Sequence, residues 1–271
     1  MDAIVVAGHP SGKKDALLEY AGVDARRKAL IPIAGKPMIK WVTDALAGSR
    51  YVDRLIVVGL DESCGIDFGP KPVAYVPNQE RLLQNALAGA RRALEDTSDR
   101  DHLLMCACDI PLITTPIVDD HIAAMLATPH DLYYTVIDRE TMLARFPTSR
   151  RSYARLRDGV FCGGDLNMGS SKVMDTNRQL WDDLLKARKS ALRQARRVGF
   201  GILLRFATGR LSLDDAARRA EQILGVKCRV VRSPHAELGM DVDKPFQLDI
   251  VRAELEKKQK GDLHLEPARS D

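Results

Sequence analysis

Short apolar runs that alternate with longer amphipathic stretches are the feature that most restricts the fold of this chain. The apolar runs predict buried strands, and the stretches between them place apolar residues on one face of a helix, as Ile39, Val42 and Leu46 do. This βαβα order predicts an α/β fold with a mostly parallel sheet and helices on both faces. The predicted strands are 3–8, 53–60, 73–78, 102–110 and 131–137, and the predicted helices are 38–49, 80–96 and 114–128.

The second half of the chain is less regular. Residues 141–169 are polar and rich in Arg and Gly, and residues 177–199 predict a long basic helix. Another helix is predicted with Ser212 as its N-cap and Gly225 as its stop. We predict one domain over residues 1–260, with a helical insertion in its second half. The remaining predictions are a strand at 226–233, a closing helix at 244–260 and an unstructured tail at 261–271.

The composition favours an intracellular protein that binds small anions. The 271 residues include 41 basic and 37 acidic side chains, and a net charge of +4 is too small to predict nucleic-acid binding. The first residues lack the layout of a signal peptide, and no apolar run approaches the ~20 residues that span a bilayer. The five cysteines form no CxxC pair, so we expect reduced thiols in the cytoplasm and no zinc site.

A carboxylate ends one of the buried strands. Asp109 closes the run 102–110, and Pro111 then turns the chain. Ligands of open α/β sheets bind at the carboxyl ends of strands, and Mg²⁺ needs only one or two carboxylates when substrate phosphates supply other ligands. Asp241 or Asp243 could supply a second carboxylate. The structural alternatives are that Asp109 caps the helix near Thr114 and that Asp243 caps the closing helix.

The loop after the first strand combines glycine with lysine. Gly8 and Gly12 would let backbone N–H groups approach phosphate oxygens, and Lys13, Lys14 and Lys28 follow. The spacing is neither GxxxxGK[ST] nor GxGxxG, so it fits an ordinary solvated loop as well as a triphosphate site.

Three segments together resemble one enzyme family. "KALIPIAGKPMI" (28–39), "CDIPLIT" (108–114) and "DVDKPFQLDI" (241–250) are similar, in the same order, to "PKxLLPLxGKPL", "xDxPLLT" and "NxNTPEDL" of MobA-like nucleotidyltransferases. The resemblance implies a Rossmann-like fold of the glycosyltransferase-A type. It also implies Mg²⁺-dependent transfer of a nucleotidyl group from an NTP to a phosphorylated acceptor, with release of pyrophosphate. Residues 1–140 would form the nucleotide-binding half and residues 141–260 the acceptor half.

The resemblance also implies roles for individual residues. Lys28 would hold the phosphates, Asp109 and Asp243 would bind the metal, and Lys28 and Asp109 would be catalytic. In "DGVFCGGDLNMG" (158–169), Asp165 replaces an asparagine of some relatives. The implied nucleotide-binding residues are Ala7, Gly8, Gly12, Lys13, Lys28, Asn85 and Gly89, and the implied acceptor-binding residues are Gly163, Gly164 and Asn167.

The first loop departs from the family pattern. Relatives begin "AAGxGxRMG", whereas this chain has "VAGHPSGKK", so Lys13 or Lys14 would have to replace the usual arginine. Two alternatives therefore stay open: a glycosyltransferase of related fold, which would use a DxD motif that "CDIP" lacks, and an inactive nucleotide-binding regulatory homologue. The basic run 178–197 favours a solvated helix face, with a membrane surface, an acidic acceptor or a partner subunit as alternatives.

Overall fold

The computed structural model describes residues 1–8, 16–22, 27–96, 101–175 and 199–263. Within these residues a nine-stranded sheet forms the centre of the molecule, and a two-stranded ribbon lies beside it. The strands of the sheet are β1 (Asp2–Val6), β4 (Arg54–Val58), β5 (Val73–Val76), β6 (His102–Ala107), β7 (Leu132–Asp138), β8 (Ala154–Leu156), β9 (Gly159–Gly163), β10 (Leu166–Ser170) and β11 (Cys228–Ser233); β2 (Pro32–Ile33) and β3 (Lys36–Pro37) form the ribbon.

Helices follow most of the strands and cover the sheet. They are α1 (Ala16–Ala21), α2 (Met38–Gly48), α3 (Leu82–Asp96), α4 (Thr115–Leu126), α5 (Arg139–Arg145), α6 (Ser171–Asp175), α7 (Phe200–Ala207), α8 (Leu213–Leu224) and α9 (Pro245–Leu263). Short 3₁₀ turns occur at Lys28–Leu30, Glu62–Cys64 and Ala236–Gly239. None of the described helices has both the length and the apolar character needed to cross a membrane.

The sheet is parallel on one side and mixed on the other. The strands β5, β4, β1 and β6 are parallel neighbours in that order. Next comes β10, which runs antiparallel between β6 and β7. The last residues of β7 pair instead with β9, and β11 lies parallel on the other side of β7. The predicted fold class, an α/β fold with a mostly parallel sheet of the glycosyltransferase-A type, is confirmed.

The central strands are buried on both faces. Ala3 and Val5 of β1 point into the larger apolar cluster, while Ile4 and Val6 point into a smaller one under α3. This burial explains why the strand is a continuous apolar run with no polar alternation. Gly89 lets α3 approach closely, because a Cβ atom there would lie 2.4 Å from Ile4 Cγ2.

The less regular half contains more structure than the sequence predicted. The polar stretch 141–169 holds most of α5 and the three strands β8, β9 and β10. The helix predicted after Ser212 is confirmed, with a capping box at Ser212 and Gly225 in the left-handed region. Helix α9 continues to Leu263, three residues into the predicted tail. The predicted basic helix 177–199 lies almost entirely outside the described residues, as do residues 264–271.

Candidate functional site at the carboxyl edge of the sheet

The site is assembled where β1, β4 and β6 end. The Cys108 N–H donates to Val6 O at 3.2 Å, so Asp109 emerges beside the end of β1. The Val242 N–H donates to Asp109 O at 2.9 Å, which brings the segment before α9 to the same place. The structure thus brings Asp109 and Asp243 together although 133 residues separate them in the chain.

Lys28 lies between these two carboxylates. Its Nζ atom donates to Asp109 Oδ2 at 2.6 Å and to Asp243 Oδ1 at 2.5 Å. The side chains of Lys28 and Asp109 are 19% and 18% exposed, whereas that of Asp243 is 59% exposed. The cluster therefore extends from the mostly buried Lys28 and Asp109 at the edge of the sheet to the solvent-exposed Asp243.

The charges in this cluster depend on one another. Burial acts to lower the pKa of Lys28, but the carboxylates of Asp109 and Asp243 outweigh burial and raise it well above the ordinary value. Lys28 is therefore a permanent cation at neutral pH. The two carboxylates balance the positive charge of Lys28, and phosphate groups of a substrate would compete with them for the lysine.

The cluster also fits a hard divalent cation. Both aspartate oxygens lie within hydrogen-bond distance of one nitrogen atom, so a cation at that point would meet two carboxylates. Mg²⁺ is commonly held by one or two carboxylates, with water and phosphate oxygens as the other ligands. Among the described residues no set of three or more His, Cys, Asp or Glu side chains is placed to hold a metal.

Neither aspartate serves as the helix cap that the structural alternatives required. Helix α4 begins at Thr115, well beyond Asp109. Helix α9 begins at Pro245, so the cap position belongs to Lys244. Instead, the backbone N–H of Asp243 donates to Gln247 Oε1 at 3.0 Å, which orients the segment and leaves the carboxylate for Lys28.

The wall beside Gly8 is built from two asparagines. A Cβ atom on Gly8 would lie 2.1 Å from Asn85 Nδ2 and 2.5 Å from Asn78 Oδ1, so only glycine fits. Asn85 is buried, and its Oδ1 accepts from the Gln79 N–H at 2.7 Å. Asn85 thereby fixes the loop after β5 against the end of β1.

The other residues implied in nucleotide binding lie in different settings. Ala7 is buried and donates its N–H to Val58 O at 2.8 Å, so it extends the sheet. Gly89 lies within α3 and packs against Ile4 of β1 and Val58 of β4. Gly12 and Lys13 are outside the described residues. The nucleotide-binding roles of all four stay predictions.

The residues implied in acceptor binding contact β7. Cβ atoms on Gly163 and Gly164 would lie 2.7 Å from Tyr134 Oη and 2.6 Å from Thr135 Cγ2, respectively. The Asn167 amide accepts from the Thr135 N–H at 2.9 Å and donates to Gly164 O at 3.1 Å. These contacts explain why two glycines and an asparagine occur at these positions. The acceptor-binding role of the three residues stays a prediction.

Asp165, in the turn between β9 and β10, is the group of this segment that interacts with the Lys28 cluster. Burial raises the pKa of the Asp165 carboxyl to about 7, and the charges of Asp109 and Asp243 act in the same direction. The cations Arg151 and Lys28 oppose them. A carboxyl that is hard to ionise therefore lies beside the Lys28 cluster, in the segment between β9 and β10.

Two arginines near the site do not stand out in the sequence. Arg27, beside Lys28, donates from Nη1 to Gly59 O and so anchors the turn that presents the lysine. Arg151 forms a mostly buried ion pair with Asp241. Both arginines belong to runs of basic residues, "ARRK" and "SRRS", in which the sequence offers no signal that selects one member.

Similarity to known proteins agrees with this arrangement. A hypothetical transferase from Thermus thermophilus is 34% identical, with a TM-score of 0.76 over 91% of this chain and 98% of its own. A 4-diphosphocytidyl-2C-methyl-D-erythritol synthase from Anaerococcus prevotii is 13% identical, with a TM-score of 0.59 over 94% and 95% of the two chains, which shows a shared fold.

Curated relatives match over a shorter stretch. The bifunctional protein GlmU of Sinorhizobium fredii is 36% identical over 115 residues, which are 41% of this chain and 23% of that protein. The chain thus covers about a quarter of the length of the curated relatives it matches. Residues 21–200 match the MobA-like NTP transferase domain. The chain therefore belongs to the MobA-like NTP transferase family, a family of nucleotidyltransferases.

Proposed function

We propose that the protein transfers an NMP group from an NTP to a phosphorylated small-molecule acceptor and releases pyrophosphate, with Mg²⁺ as cofactor. The observation that carries this proposal is the position of Lys28 Nζ between Asp109 and Asp243 at the carboxyl edge of the sheet. Mg²⁺ can take the place of the lysine cation between the two carboxylates. Phosphate oxygens of the substrates can then bind to both Mg²⁺ and Lys28.

The chemistry follows from charge. A phosphate of the acceptor attacks the α-phosphorus of the NTP in line with the pyrophosphate leaving group, and both reactants are anionic. Lys28 would move from the carboxylates to the phosphates and stabilise the charge that develops in the transition state. Asp109 and Asp243 would hold Mg²⁺, which supplies positive charge for the same purpose. A phosphate nucleophile is already ionised, so no general base is needed.

The surroundings support positioning of the two substrates. Gly8, Asn78 and Asn85 form a close-packed wall next to the cluster, where the backbone can approach a nucleotide. The described structure has Asp165 and Arg151 on the opposite side, which we assign to the acceptor. Holding two reactants in line supplies much of the rate enhancement in such a transfer. All five cysteines are free, which fits our proposal of a reducing, cytoplasmic location.

A pyrophosphate-release assay tests the proposal. The protein is incubated with each of four NTPs, a set of phosphorylated acceptors and Mg²⁺ or EDTA, and release is expected only with Mg²⁺. Asp109→Asn should lose release, whereas Asp44→Asn, which alters an ion pair on α2 with Lys40 and Lys36, should retain it. Stabilisation by NTP without any release would favour the regulatory homologue, and cleavage of a sugar nucleotide would favour the glycosyltransferase.

A further inference from the structure

Helix α7 has the opposite arrangement to an ordinary surface helix. Five of its eight residues are large and apolar, yet none of the eight is buried. Phe200 and Leu204 lie one turn apart on the same face and are 64% and 67% exposed, and Phe206 is 47% exposed. Helices of soluble proteins normally turn their apolar face towards the core. The exposed apolar face of α7 therefore indicates a surface that binds another molecule.

The charged residue of α7 is the one that attaches the helix to the protein. Arg205 forms an ion pair with Asp215 in the first turn of α8, and the Asp215 side chain is only 12% exposed. The Arg205 carbonyl oxygen accepts from the N–H groups of Arg210 at 2.7 Å and Leu211 at 3.0 Å. The helix is thus held through its polar side, which leaves the apolar face directed outwards.

The charge around this face is positive. Arg210 is exposed, and a Cβ atom on Gly209 would lie 3.9 Å from the side chain of Arg155, so β8 brings a second exposed arginine to the end of α7. The sequence around the helix is basic as well. Residues 184–213, of which the first fifteen lie outside the described residues, contain eight Lys or Arg side chains and no Asp or Glu.

A membrane surface with anionic lipids matches this combination of apolar and positive groups. Apolar side chains can enter the boundary between headgroups and acyl chains, while arginines bind the lipid phosphates. A second copy of the chain fits less well, because a twofold contact brings the same patch together from both sides and would place two basic segments next to each other. Nucleic acid would use the charges but would leave Phe200 and Leu204 in water.

We infer that α7 docks the protein on a membrane surface that carries anionic lipids, with Phe200 and Leu204 among the lipids and Arg155 and Arg210 on their phosphates. The eight residues of the helix rise only about 12 Å, so α7 would lie in the surface and not cross the bilayer. The inference concerns the place where the protein acts, and it does not depend on the proposed reaction.

Sedimentation with lipid vesicles measures this binding. The full chain is mixed with vesicles of phosphatidylcholine alone, or of phosphatidylcholine and phosphatidylglycerol in equal parts, at low and at high salt. The affinity for the anionic vesicles should be higher by roughly tenfold or more, because several arginines lie near the surface. High salt should remove most of this difference, because it screens the charges.

Variants of α7 separate the apolar from the charged contribution. Phe200→Ser combined with Leu204→Ser should weaken binding to anionic vesicles by roughly tenfold or more, because two apolar side chains no longer leave water. Leu82→Ser, at a leucine of α3 that is 70% exposed, is the matched control and should bind normally. Arg210→Glu should weaken binding about tenfold at low salt, whereas Arg91→Glu on α3 should not. Circular dichroism checks that each variant is folded.

A tryptophan on α7 reports insertion directly. The emission of Leu204→Trp, after subtraction of the emission of the unaltered protein, should move to shorter wavelength with anionic vesicles. Lipids with brominated acyl chains should quench it. Leu82→Trp is the control and should show neither change.

Three results would overturn the inference. The first is an equal affinity of the unaltered protein for the two kinds of vesicle, or no binding to either. The second is binding that the Phe200→Ser and Leu204→Ser double variant retains in full, which would assign the contact to charge alone. The third is self-association in light scattering that the double variant abolishes and anionic vesicles do not reverse, which would assign the face to a second copy of the chain.

Discussion

Replacing Asp165 by asparagine should stabilise the protein, and by more at higher pH. Burial, together with Asp109, raises the pKa of this carboxyl from 3.8 to about 7 in the folded chain. The folded state thus holds the proton more tightly than the unfolded state, so stability falls as pH rises from about 4 to about 7. Asparagine cannot ionise and escapes this loss.

The size of the effect follows from the shift. With 1.36 kcal/mol per pKa unit, the penalty carried by Asp165 is roughly 1.5 kcal/mol at pH 5 and roughly 4 kcal/mol at pH 8. The gain of Asp165→Asn should therefore grow by about 2.5 kcal/mol over this range. Any change in packing or hydrogen bonding caused by the amide itself is independent of pH and shifts every point equally.

Urea unfolding followed by circular dichroism at pH 5, 6, 7 and 8, with EDTA and without nucleotide, measures this difference. Other titrating groups affect both proteins alike; His121, whose pKa burial and nearby His235 lower to about 4, is one of them. Asp214→Asn, at an exposed aspartate in the first turn of α8, is the control for replacing a carboxylate by an amide. A stability gain of Asp165→Asn that stays constant from pH 5 to pH 8 would refute burial of an unpaired carboxyl at this position.

Three further perturbations address the nucleotide side. Lys28→Met should strengthen Mg²⁺ binding in the absence of nucleotide, because the variant lacks the cation that neutralises the two carboxylates. The same variant should show a smaller rise in melting temperature with NTP. Calorimetry measures the Mg²⁺ affinity, and an unchanged affinity would contradict this prediction. Asp109→Asn should lower turnover by ~10²–10³. Asp243→Asn should have a milder effect, because Asp243 is more exposed, and the double variant should be barely worse than Asp109→Asn alone. Near-normal pyrophosphate release by folded Asp109→Asn would exclude the metal role. Gly59→Ala should destabilise by at least about 2 kcal/mol in urea, because φ is +100° and the new Cβ would lie 2.6 Å from Gly8 Cα. Gly65→Ala, with φ of +65° and open space, is its control, and equal losses in the two variants would contradict the role of close packing.

The parallel half of the fold could be predicted because its signals are local. Each strand from β1 to β7, apart from the short ribbon, is a contiguous apolar run, and the helices between them have regular apolar faces. Ligands collect at the carboxyl ends of such strands, and this rule alone predicts that Gly8 and Asp109 share one edge of the sheet. The position in the sequence could not show whether Asp241 or Asp243 supplies the second carboxylate of the site. In the structure Asp241 pairs with Arg151, and Asp243 pairs with Lys28.

The second half of the chain could not be predicted as well, because its structure depends on distant partners. Strand β10 is formed by Leu166–Ser170, a short segment that contains Asn and Gly and has little intrinsic strand preference. Its neighbours β6 and β7 lie far earlier in the chain and supply the hydrogen bonds that make it a strand. The environment of Asp165 depends on the same pairing, so the sequence could mark the residue as a departure from relatives but could not reveal its burial.

The position of β10 also determines when the sheet can be completed during synthesis on the ribosome. Strand β6 is complete at Ala107 and β7 at Asp138, yet the strand that joins them begins only at Leu166. Until that segment emerges, β6 has a long apolar edge with unpaired backbone groups, which is a template for aggregation. A fragment that ends near residue 140 should therefore be insoluble when expressed alone, and chaperone binding to the nascent chain should persist until β10 has been made.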